Sequence, residues 1–490
     1  MRKTISRLPV LWLLVSLFAC GKTASTPTPL PATSTVLPTS TPLPATPTDI
    51  PTPTPLPAPE RARYTLEVTL DYAAKTVSVD ENILYPNHTG ETLNSLTLAV
   101  VPNLWAGGFA LSGLSIDGAP VGNYALNGQR LEVPLPAPLA PERTLTLSLQ
   151  FSLALPFAEQ QDPSLERPRI YGYTARQINL VNWYPFIVPY QTGTGWILHD
   201  PWYYGEHLVY EAADYEVHLK TDPGVVVAAS GLAQPGDEFT RYTLTAGRAF
   251  VLSASPEFQT VSAQAGNVTV TSYYFPLYEK PGQAVLDVSV KAVQLYSQRF
   301  GPYPHQTLAA VMGDFNDGME YSAFYFLPRD FYNLYDGTPQ NYLTFVAAHE
   351  TSHQWWFERV ANDQALHPWL DESLTNYCER LYYEAYHPEL VSWWWSYRMY
   401  YYDPSAKVDI RIYDGAGFQP YTNATYFRGA HFLEDLRARI GDEAFFAFLQ
   451  DYQAQLNGKI AKPQDFFTLL RQHTSVDFSD LMAAYFANPY

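Results

Sequence analysis

The spacing of apolar residues changes near residue 280, and this change constrains the fold of the 490-residue chain more than any other feature. Before it, segments such as residues 64–72 and 144–153 alternate apolar and polar residues, which is typical of half-buried strands. Beyond Ala284, apolar residues recur at helical spacing. The sequence therefore predicts an α+β protein of several domains. We expect an all-β sandwich or saddle-shaped sheet over residues 61–275 and a mainly helical domain over residues 276–490.

The start of the chain has the features of a bacterial export signal. Three basic residues precede an apolar run, residues 8–19, that is too short to span a bilayer. The sequence LFACG at residues 17–21 resembles a lipobox, in which the cysteine is lipidated and becomes the first mature residue. We therefore expect a signal peptide at residues 1–19 and a protein anchored to the outer face of a bacterial membrane through lipid on Cys20. An ordinary cleaved signal and an uncleaved anchor are the alternatives.

Residues 20–60 are predicted to form a tether between this anchor and the folded part of the chain. From Thr23 to Pro59 the segment consists almost wholly of Thr, Pro, Ala, Ser and Leu. Such a composition buries too little apolar surface to offset the entropy lost on ordering. We therefore expect this segment to be extended and disordered.

The net charge bears on nucleic-acid binding, and the cysteine content bears on disulfide formation. The formal net charge of −18 argues against nucleic acid, because phosphate binding needs a basic surface. The only cysteines are Cys20 and Cys378, and lipid on the first leaves the second without a partner for an intramolecular disulfide. Cys378 is then most simply a small buried apolar side chain.

A metal-binding pattern, His349-Glu350-Thr351-Ser352-His353, lies in a stretch from Asn341 to Val360 that contains neither proline nor glycine. This stretch predicts one buried helix. Residues four apart share one helix face, so both imidazoles can point at the same cation, with Glu350 beside them. Glu372 follows after eighteen intervening residues, at the start of a further predicted helix. Two histidines and one carboxylate are the three protein ligands of a catalytic zinc site, which leaves a fourth position for water.

These motifs together resemble the aminopeptidase N family of gluzincin zinc metallopeptidases. The resemblance rests first on HETSHQWW and on the glutamate of WLDES, at residues 349–356 and 369–373. Residues 317–321, DGMEY, are similar to the exopeptidase motif of that family, and residues 426–430, YFRGA, to its tyrosine-containing segment. The resemblance covers residues 61–490 and implies a thermolysin-like catalytic domain after the β domain.

The resemblance also implies a role for each of these residues. One Zn²⁺ per chain would be bound by His349, His353 and Glu372, and Glu350 would be the general base that takes a proton from the zinc-bound water. Tyr426 would donate a hydrogen bond to the developing oxyanion. Glu320 would accept the α-ammonium of a peptide with a free amino terminus, with Gly318 and Met319 along the substrate backbone near the first pocket.

Some residues depart from the family pattern. Asp317, Gly318 and Tyr321 replace the commonest residues of the exopeptidase motif, which puts the shape of the first subsite in doubt. The chain also stops soon after the catalytic helices, where family members often carry a large C-terminal helical domain. We therefore expect a more open groove than in those proteins.

Three functions fit the sequence. The leading hypothesis is a zinc aminopeptidase that trims extracellular peptides at the cell surface. The alternatives are a zinc endopeptidase or other hydrolase on the same scaffold, and a catalytically silent binding lipoprotein.

Two smaller questions stay open. Glu379 either orients a ligand histidine or is simply solvated, and Trp393–Trp395 either pack in the core or a groove, or bind carbohydrate.

Overall fold

The alternating segments of the first half of the chain form the strands of a large twisted sheet. The computed structural model describes residues 61–158, 170–402 and 405–490. Strand Arg63–Asp71 pairs in parallel with Ala213–Thr221 and antiparallel with Thr76–Pro86. Along Thr76–Pro86 every second side chain is buried, so one face of the sheet covers the core. In sheet order the eight strands are Leu232–Pro235, Thr240–Gly247, Ala213–Thr221, Arg63–Asp71, Thr76–Pro86, Thr144–Ala154, Phe109–Ile116 and Ala119–Pro120.

Two four-stranded sheets and a short hairpin complete the β-rich part. A turn at Gly128 and Gln129 connects strand Ala125–Asn127 to Arg130–Leu139. The buried side chains of these sheets belong to one continuous apolar core. The first sheet consists of Val226–Ala229, Leu252–Ser255, Ile178–Leu180 and Gly172–Tyr173, the second of Phe186–Ile187, Leu93–Ala99, Arg130–Leu139 and Ala125–Asn127, and the hairpin of Tyr190–Gln191 and Gly195–Trp196.

A five-stranded sheet connects the β-rich part to the helices. Strands Gln259–Ala265 and Val268–Tyr274 lie within the range predicted for the β domain, yet Val268–Tyr274 pairs in parallel with Thr307–Met312. Helix Glu279–Phe300 makes the crossover between these parallel strands. The remaining strands are Phe324–Leu327 and Met319–Tyr321. The predicted boundary after residue 275 therefore cuts through one sheet, because strand alternation does not reveal which sheet a strand joins.

Helices dominate the rest of the chain, so the predicted order of a β-rich domain followed by a helical domain is confirmed. One predicted helix is wrong in length. The stretch 341–360 is helical only over Tyr342–Ser352, and Phe357 has a left-handed φ of 156°. The helix ends there because Gln354 and the aromatic residues that follow pack into the core, and Gln354 bonds to the backbone of Tyr321 and Ala323. The α-helices are Glu279–Phe300, Arg329–Asn333, Tyr342–Ser352, Trp369–Tyr386, Val391–Trp394, Phe418–Thr422, Gly429–Ile440, Asp442–Leu456, Pro463–His473 and Ser479–Tyr485.

A buried arginine bonds the β-rich part to the helical part. The side chain of Arg248 is 1% exposed, and its guanidinium donates hydrogen bonds to four backbone carbonyl oxygens. One belongs to Tyr210, and the others to Glu358, Arg359 and Lys459 in the helical part. Burial lowers the pKa of Arg248 to about 10, which leaves it a cation at neutral pH. Residues far apart in sequence are thereby held in one compact unit.

The core of the largest sheet contains a carboxyl group without a hydrogen bond. Glu81 points to the buried face of strand Thr76–Pro86, between Leu66 and Leu149 on the neighbouring strands. Its side-chain oxygens have no hydrogen-bond partner among the described residues. Burial raises the pKa of Glu81 well above the ordinary value of 4.5. Just above pH 4.5, the folded protein therefore keeps a proton on Glu81, whereas the unfolded chain has lost it.

Replacing Glu81 by methionine is expected to stabilise the protein, and more so at higher pH. The raised pKa of Glu81 makes its contribution to the free energy of unfolding fall as pH rises above about 4.5. At pH 8, urea unfolding of Glu81→Met should give a free energy of unfolding about 2 kcal/mol above that of the wild type. At pH 5 the gain should be smaller. Asp80→Asn, on the exposed face of the same strand, is the control and should change neither value. An equal gain at both pH values would show that Glu81 does not titrate on unfolding.

The predicted signal peptide, lipidation site and tether all lie outside the described residues. Cys20 and the segments 1–19 and 20–60 precede the described residues. Within the described ranges, no helix is both long enough and apolar enough to cross a membrane.

Cys378 is buried and has a free thiol, which accepts a hydrogen bond from Trp356 Nε1 at 3.2 Å.

Candidate active site

Two imidazoles lie side by side at the end of helix Tyr342–Ser352. The helix begins at Asn341, whose side chain accepts a hydrogen bond from the backbone N–H of Thr344 at 3.0 Å. His349 lies in the last turn. His353 caps the helix with helical dihedral angles, so it stays one turn above His349. The two ring centroids are 4.9 Å apart, and both side chains are buried.

Glu372 reaches the same point from helix Trp369–Tyr386. Its Oε2 atom lies 3.4 Å from His349 Nε2 and 3.9 Å from His353 Nε2. The candidate ligand atoms of all three residues lie within 4.8 Å of one another. This Oε2 atom is buried without a hydrogen-bond partner among the described residues, as expected of an oxygen whose partner is a cation. Two imidazole nitrogens and one carboxylate oxygen are also the donor set that Zn²⁺ takes in catalytic sites, so these residues fit a zinc ion.

Each imidazole is oriented from its far side by a buried carboxylate. His349 Nδ1 lies 3.0 Å from Glu379 Oε1, and His353 Nδ1 lies 2.7 Å from Asp371 Oδ1. A hydrogen bond at Nδ1 leaves Nε2 of each ring directed towards the common point with Glu372. Glu379 therefore contacts one of the two candidate ligand histidines, which decides between the two roles considered for it. Asp371 was not predicted, although it immediately precedes Glu372.

Glu379 is itself fixed by two further side chains. Trp394 Nε1 donates to Glu379 Oε2 at 2.9 Å, and Arg398 donates to both carboxylate oxygens at 3.0 and 3.1 Å. Burial alone would raise the pKa of Glu379, but Arg398 and His349 lower it below its ordinary value. The carboxylate thus stays ionised inside the protein. Trp394 is fully buried, so this member of the tryptophan run belongs to the core.

Neutralising either carboxylate is expected to weaken zinc binding. In Asp371→Asn and Glu379→Gln, each imidazole loses the charged acceptor that fixes its orientation. We expect the Kd for Zn²⁺, measured by competition with a chromogenic chelator, to rise about 10- to 100-fold in each variant. Glu443→Gln, an exposed residue of helix Asp442–Leu456, is the matched control and should retain the wild-type Kd. Unchanged zinc affinity in both buried variants would contradict the proposed orientation of the ligands.

Glu350 lies one residue beyond His349, and the space around it depends on a glycine. The side chain is buried and lines the same groove as the three candidate ligands. A Cβ atom on Gly318 would lie 2.7 Å from Glu350 Oε1, closer than two such atoms can approach. A side chain at residue 318 would therefore shift the end of the Glu350 side chain, an effect that is separate from any contact with substrate.

Glu320 lies on strand Met319–Tyr321, at the edge of the five-stranded sheet. Its Oε2 atom is 4.0 Å from His353 Nε2, and its Oε1 atom accepts a hydrogen bond from Gln364 at 3.2 Å. Burial raises the pKa of Glu320 well above its ordinary value; His353 opposes this shift and Glu206 adds to it. His353 faces Glu320 with its Nε2 atom and Asp371 with its Nδ1 atom. Because these two ring nitrogens point in different directions, the three residues do not bind one metal ion together.

Tyr426 approaches the candidate ligands from a distorted helix. Residues Asn423–Arg428 form a π-helical turn between helices Phe418–Thr422 and Gly429–Ile440, and such turns frequently occur at functional sites. The ring of Tyr426 is parallel to that of His349, at 6.0 Å between centroids. Burial would raise the pKa of Glu372, but His349, His353 and a hydrogen bond with Tyr426 lower it. The Tyr426 hydroxyl is thus close to the point where the three candidate ligands meet.

Most of the predicted site residues line one groove of about 310 Å³. These are Gly318, Glu320, His349, Glu350, His353, Glu372 and Tyr426. Met319 instead lines an adjoining cavity, and Cys20 lies outside the described residues. The groove also contains Glu206 and Arg398, which sequence reasoning missed. Neither belongs to a local motif, and only the tertiary fold brings them to the site.

Known proteins match both the sequence and the fold. Residues 284–485 match the model of the Peptidase family M1 domain. Aminopeptidase M1-D of Oryza sativa subsp. japonica is 26% identical over 220 residues, which are 42% of this chain and 25% of that protein. Aminopeptidase N of Lactobacillus helveticus is 23% identical over 308 residues, 58% of this chain and 35% of that protein. The chain spans about a quarter of the length of the first of these relatives.

Among solved structures, the M1 zinc metallopeptidase of Deinococcus radiodurans has the same fold. Its TM-score is 0.62 at 20% identity, over 88% of this chain and 94% of that one. A mutant of that protein bound to a Tyr-Ser-Ala substrate gives a TM-score of 0.63 at 20% identity, over 88% and 95% of the two chains. The order of a β-rich part followed by a helical part agrees with this fold. The sequence match over residues 284–485 includes the helix that carries His349. Residues 284–485 of the chain therefore form a peptidase family M1 domain, and the described part of the chain has the fold of an M1 zinc metallopeptidase.

Proposed function

We propose that the protein is a zinc aminopeptidase that removes single residues from the amino end of extracellular peptides, with one Zn²⁺ per chain. The observation that carries the proposal is the position of Glu320, a buried carboxylate 4.0 Å from His353 in the groove of the candidate ligands. A carboxylate so close to the candidate ligands can pair with the α-ammonium of a free amino terminus, which would select the first peptide bond of the substrate.

The groove residues would divide the reaction between them. Bound by His349, His353 and Glu372, Zn²⁺ supplies a Lewis acid and lowers the pKa of a water molecule. Glu350 accepts the proton of the attacking water and then passes it to the leaving amine. The Tyr426 hydroxyl donates a hydrogen bond to the oxyanion that develops on the scissile carbonyl. Glu320 holds the α-ammonium, which places the first peptide bond at the reaction centre.

The proposed exopeptidase role is tested by blocking the substrate amine. The zinc-loaded protein should cleave a free pentapeptide at least about 100-fold faster than its N-acetyl form, because only the free amine pairs with Glu320. Mass spectrometry should show residues released one at a time. Glu320→Gln should lower the ratio of the cleavage rate of the free peptide to that of the N-acetyl peptide. The exposed control Glu443→Gln should leave this ratio unchanged. Equal cleavage of free and blocked peptides would contradict the proposal and favour an endopeptidase.

We further propose that the protein is exported and attached to the membrane by lipid on Cys20. Support comes from the sequence of residues 1–21, with its basic start, apolar run and LFACG segment. The wild type expressed in a bacterial host should incorporate labelled palmitate and partition with membranes. Cys20→Ser should lose both properties, and Cys378→Ser, at the buried cysteine, should lose neither. Label retained in Cys20→Ser would contradict this assignment.

A further inference from the structure

The helix that carries Glu372 is hydrogen-bonded to the turn that carries Tyr426. Ser373, the residue after Glu372 in helix Trp369–Tyr386, donates from its Oγ atom to the carbonyl oxygen of Thr425 at 2.6 Å. Ser373 and Thr425 are both fully buried, so water does not compete for this bond. The bond joins the neighbour of a candidate metal ligand to the neighbour of the proposed oxyanion donor.

The hydroxyl of Ser373 meets the π-helical turn Asn423–Arg428 where its backbone departs from a regular α-helix. In an α-helix, the carbonyl oxygen of Thr425 would accept a hydrogen bond from the backbone N–H of Gly429, four residues later. Here the N–H of Gly429 bonds to the carbonyl oxygen of Tyr426 instead. A side chain that bonds into the backbone ladder of a helix is a known cause of local distortion.

Gly429 allows the close approach of Ser373 to this turn. A Cβ atom at residue 429 would overlap the Oγ and Cβ atoms of Ser373 and would lie 3.3 Å from its Cα atom. The Cβ atom of Ser373 is attached directly to the helix backbone, so relieving the overlap would shift that backbone. The φ angle of Gly429 is −63°, which any residue adopts. Close packing against Ser373, rather than backbone conformation, is therefore the structural effect of this glycine.

The bond from Ser373 adds a directional contact to the packing that surrounds Tyr426. The Tyr426 ring lies parallel to His349 at 6.0 Å and edge-on to Tyr421 at 5.9 Å between centroids. Apolar ring packing is largely non-directional, whereas a hydrogen bond has a defined length and direction. We propose that Ser373 is a positioning residue that holds the Tyr426 hydroxyl in place beside Glu372 for the reaction. This inference rests on the proposed aminopeptidase function.

Removing the Ser373 hydroxyl is expected to slow the reaction without weakening substrate or metal binding. In the zinc-loaded protein, Ser373→Ala should lower kcat for an aminoacyl anilide about 10-fold, because a misplaced Tyr426 hydroxyl stabilises the oxyanion less well. KM and the Kd for Zn²⁺ should change less than about 2-fold, since Ser373 does not line the groove. Ser289→Ala is the matched control, because Ser289 is also fully buried and donates to a backbone carbonyl at 2.6 Å. It should keep the wild-type kcat.

A double-mutant cycle distinguishes positioning of Tyr426 from a general loss of packing. In the Tyr426→Phe background, Ser373→Ala should lower kcat less than about 2-fold, because the hydroxyl that it positions is already absent. A general loss of packing would cost the same factor in both backgrounds. Equal factors, a wild-type kcat in Ser373→Ala alone, or an increased Kd for Zn²⁺ in that variant would overturn the inference.

Crystal structures of the zinc-loaded variants separate failure of this inference from failure of the proposed function. The Tyr426 hydroxyl should move by about 1 Å in Ser373→Ala and keep its place in Ser289→Ala. If the wild type hydrolyses no anilide, the proposed function fails, and this displacement alone decides whether Ser373 positions Tyr426. An unmoved hydroxyl in Ser373→Ala would overturn the inference and leave the aminopeptidase function intact.

Discussion

Glu350→Gln is expected to lower kcat by about 10³-fold while the protein keeps its zinc. Glutamine has the size of glutamate, so it fits the space that Gly318 leaves and should not disturb the helix that carries His349 and His353. Its amide cannot accept a proton from water, which removes the general base. KM for an aminoacyl anilide should change little, because the carboxylate acts on the water rather than on the bound substrate.

The measurement for Glu350 pairs steady-state kinetics with zinc content determined by mass spectrometry. Glu443→Gln makes the same chemical change on an exposed part of the surface and should behave as the wild type. If Glu350→Gln retains wild-type kcat, another group takes the proton and the proposed mechanism is wrong. If it loses both activity and zinc, Glu350 supports the metal site instead of acting as the base.

Tyr426→Phe is expected to lower kcat by about 10²-fold, with little change in KM. The hydroxyl would bond to the oxyanion, which exists only as the reaction proceeds, so its loss affects the transition state more than the bound substrate. Phenylalanine preserves the ring that lies parallel to His349 and leaves the packing of the π-helical turn intact. Zinc affinity should change less than in Asp371→Asn.

Tyr452→Phe is the matched control for Tyr426. It also removes one hydroxyl from a tyrosine, and the Tyr452 hydroxyl is buried without a hydrogen-bond partner among the described residues. Steady-state kinetics should find wild-type kcat in this variant. If Tyr426→Phe shows the same kcat as Tyr452→Phe, the Tyr426 hydroxyl does not stabilise the oxyanion.

The sequence predicts what depends on local spacing. His349 and His353 lie one turn apart in a single helix, so their shared direction follows from helical geometry alone. Placing Glu372 beside them depended on the count of three protein ligands in a catalytic zinc site, because that residue belongs to another helix. The order of a β-rich domain before a helical one also follows from local periodicity, and the structure confirms it.

Features set by distant contacts could not be predicted in the same way. Glu206 reaches the groove from the β-rich part. Arg398 bonds to Glu379 from a turn that follows the helix carrying Glu379. Nothing in the neighbouring sequence marks either residue. The early end of helix Tyr342–Ser352 has the same origin, since packing of the following aromatic residues in the core overrides helical propensity. Glu379 is an intermediate case, because helical spacing suggested its role and its contact with His349 in the structure decided it.

The central claim is that His349, His353 and Glu372 bind one zinc ion. It is tested most directly by anomalous diffraction at the zinc absorption edge, on crystals of the zinc-loaded protein. We expect one anomalous peak per chain, within about 2.0–2.2 Å of both Nε2 atoms and of a Glu372 carboxylate oxygen. A zinc-loaded protein with no peak there, or with its peak bound by other residues, would contradict the claim.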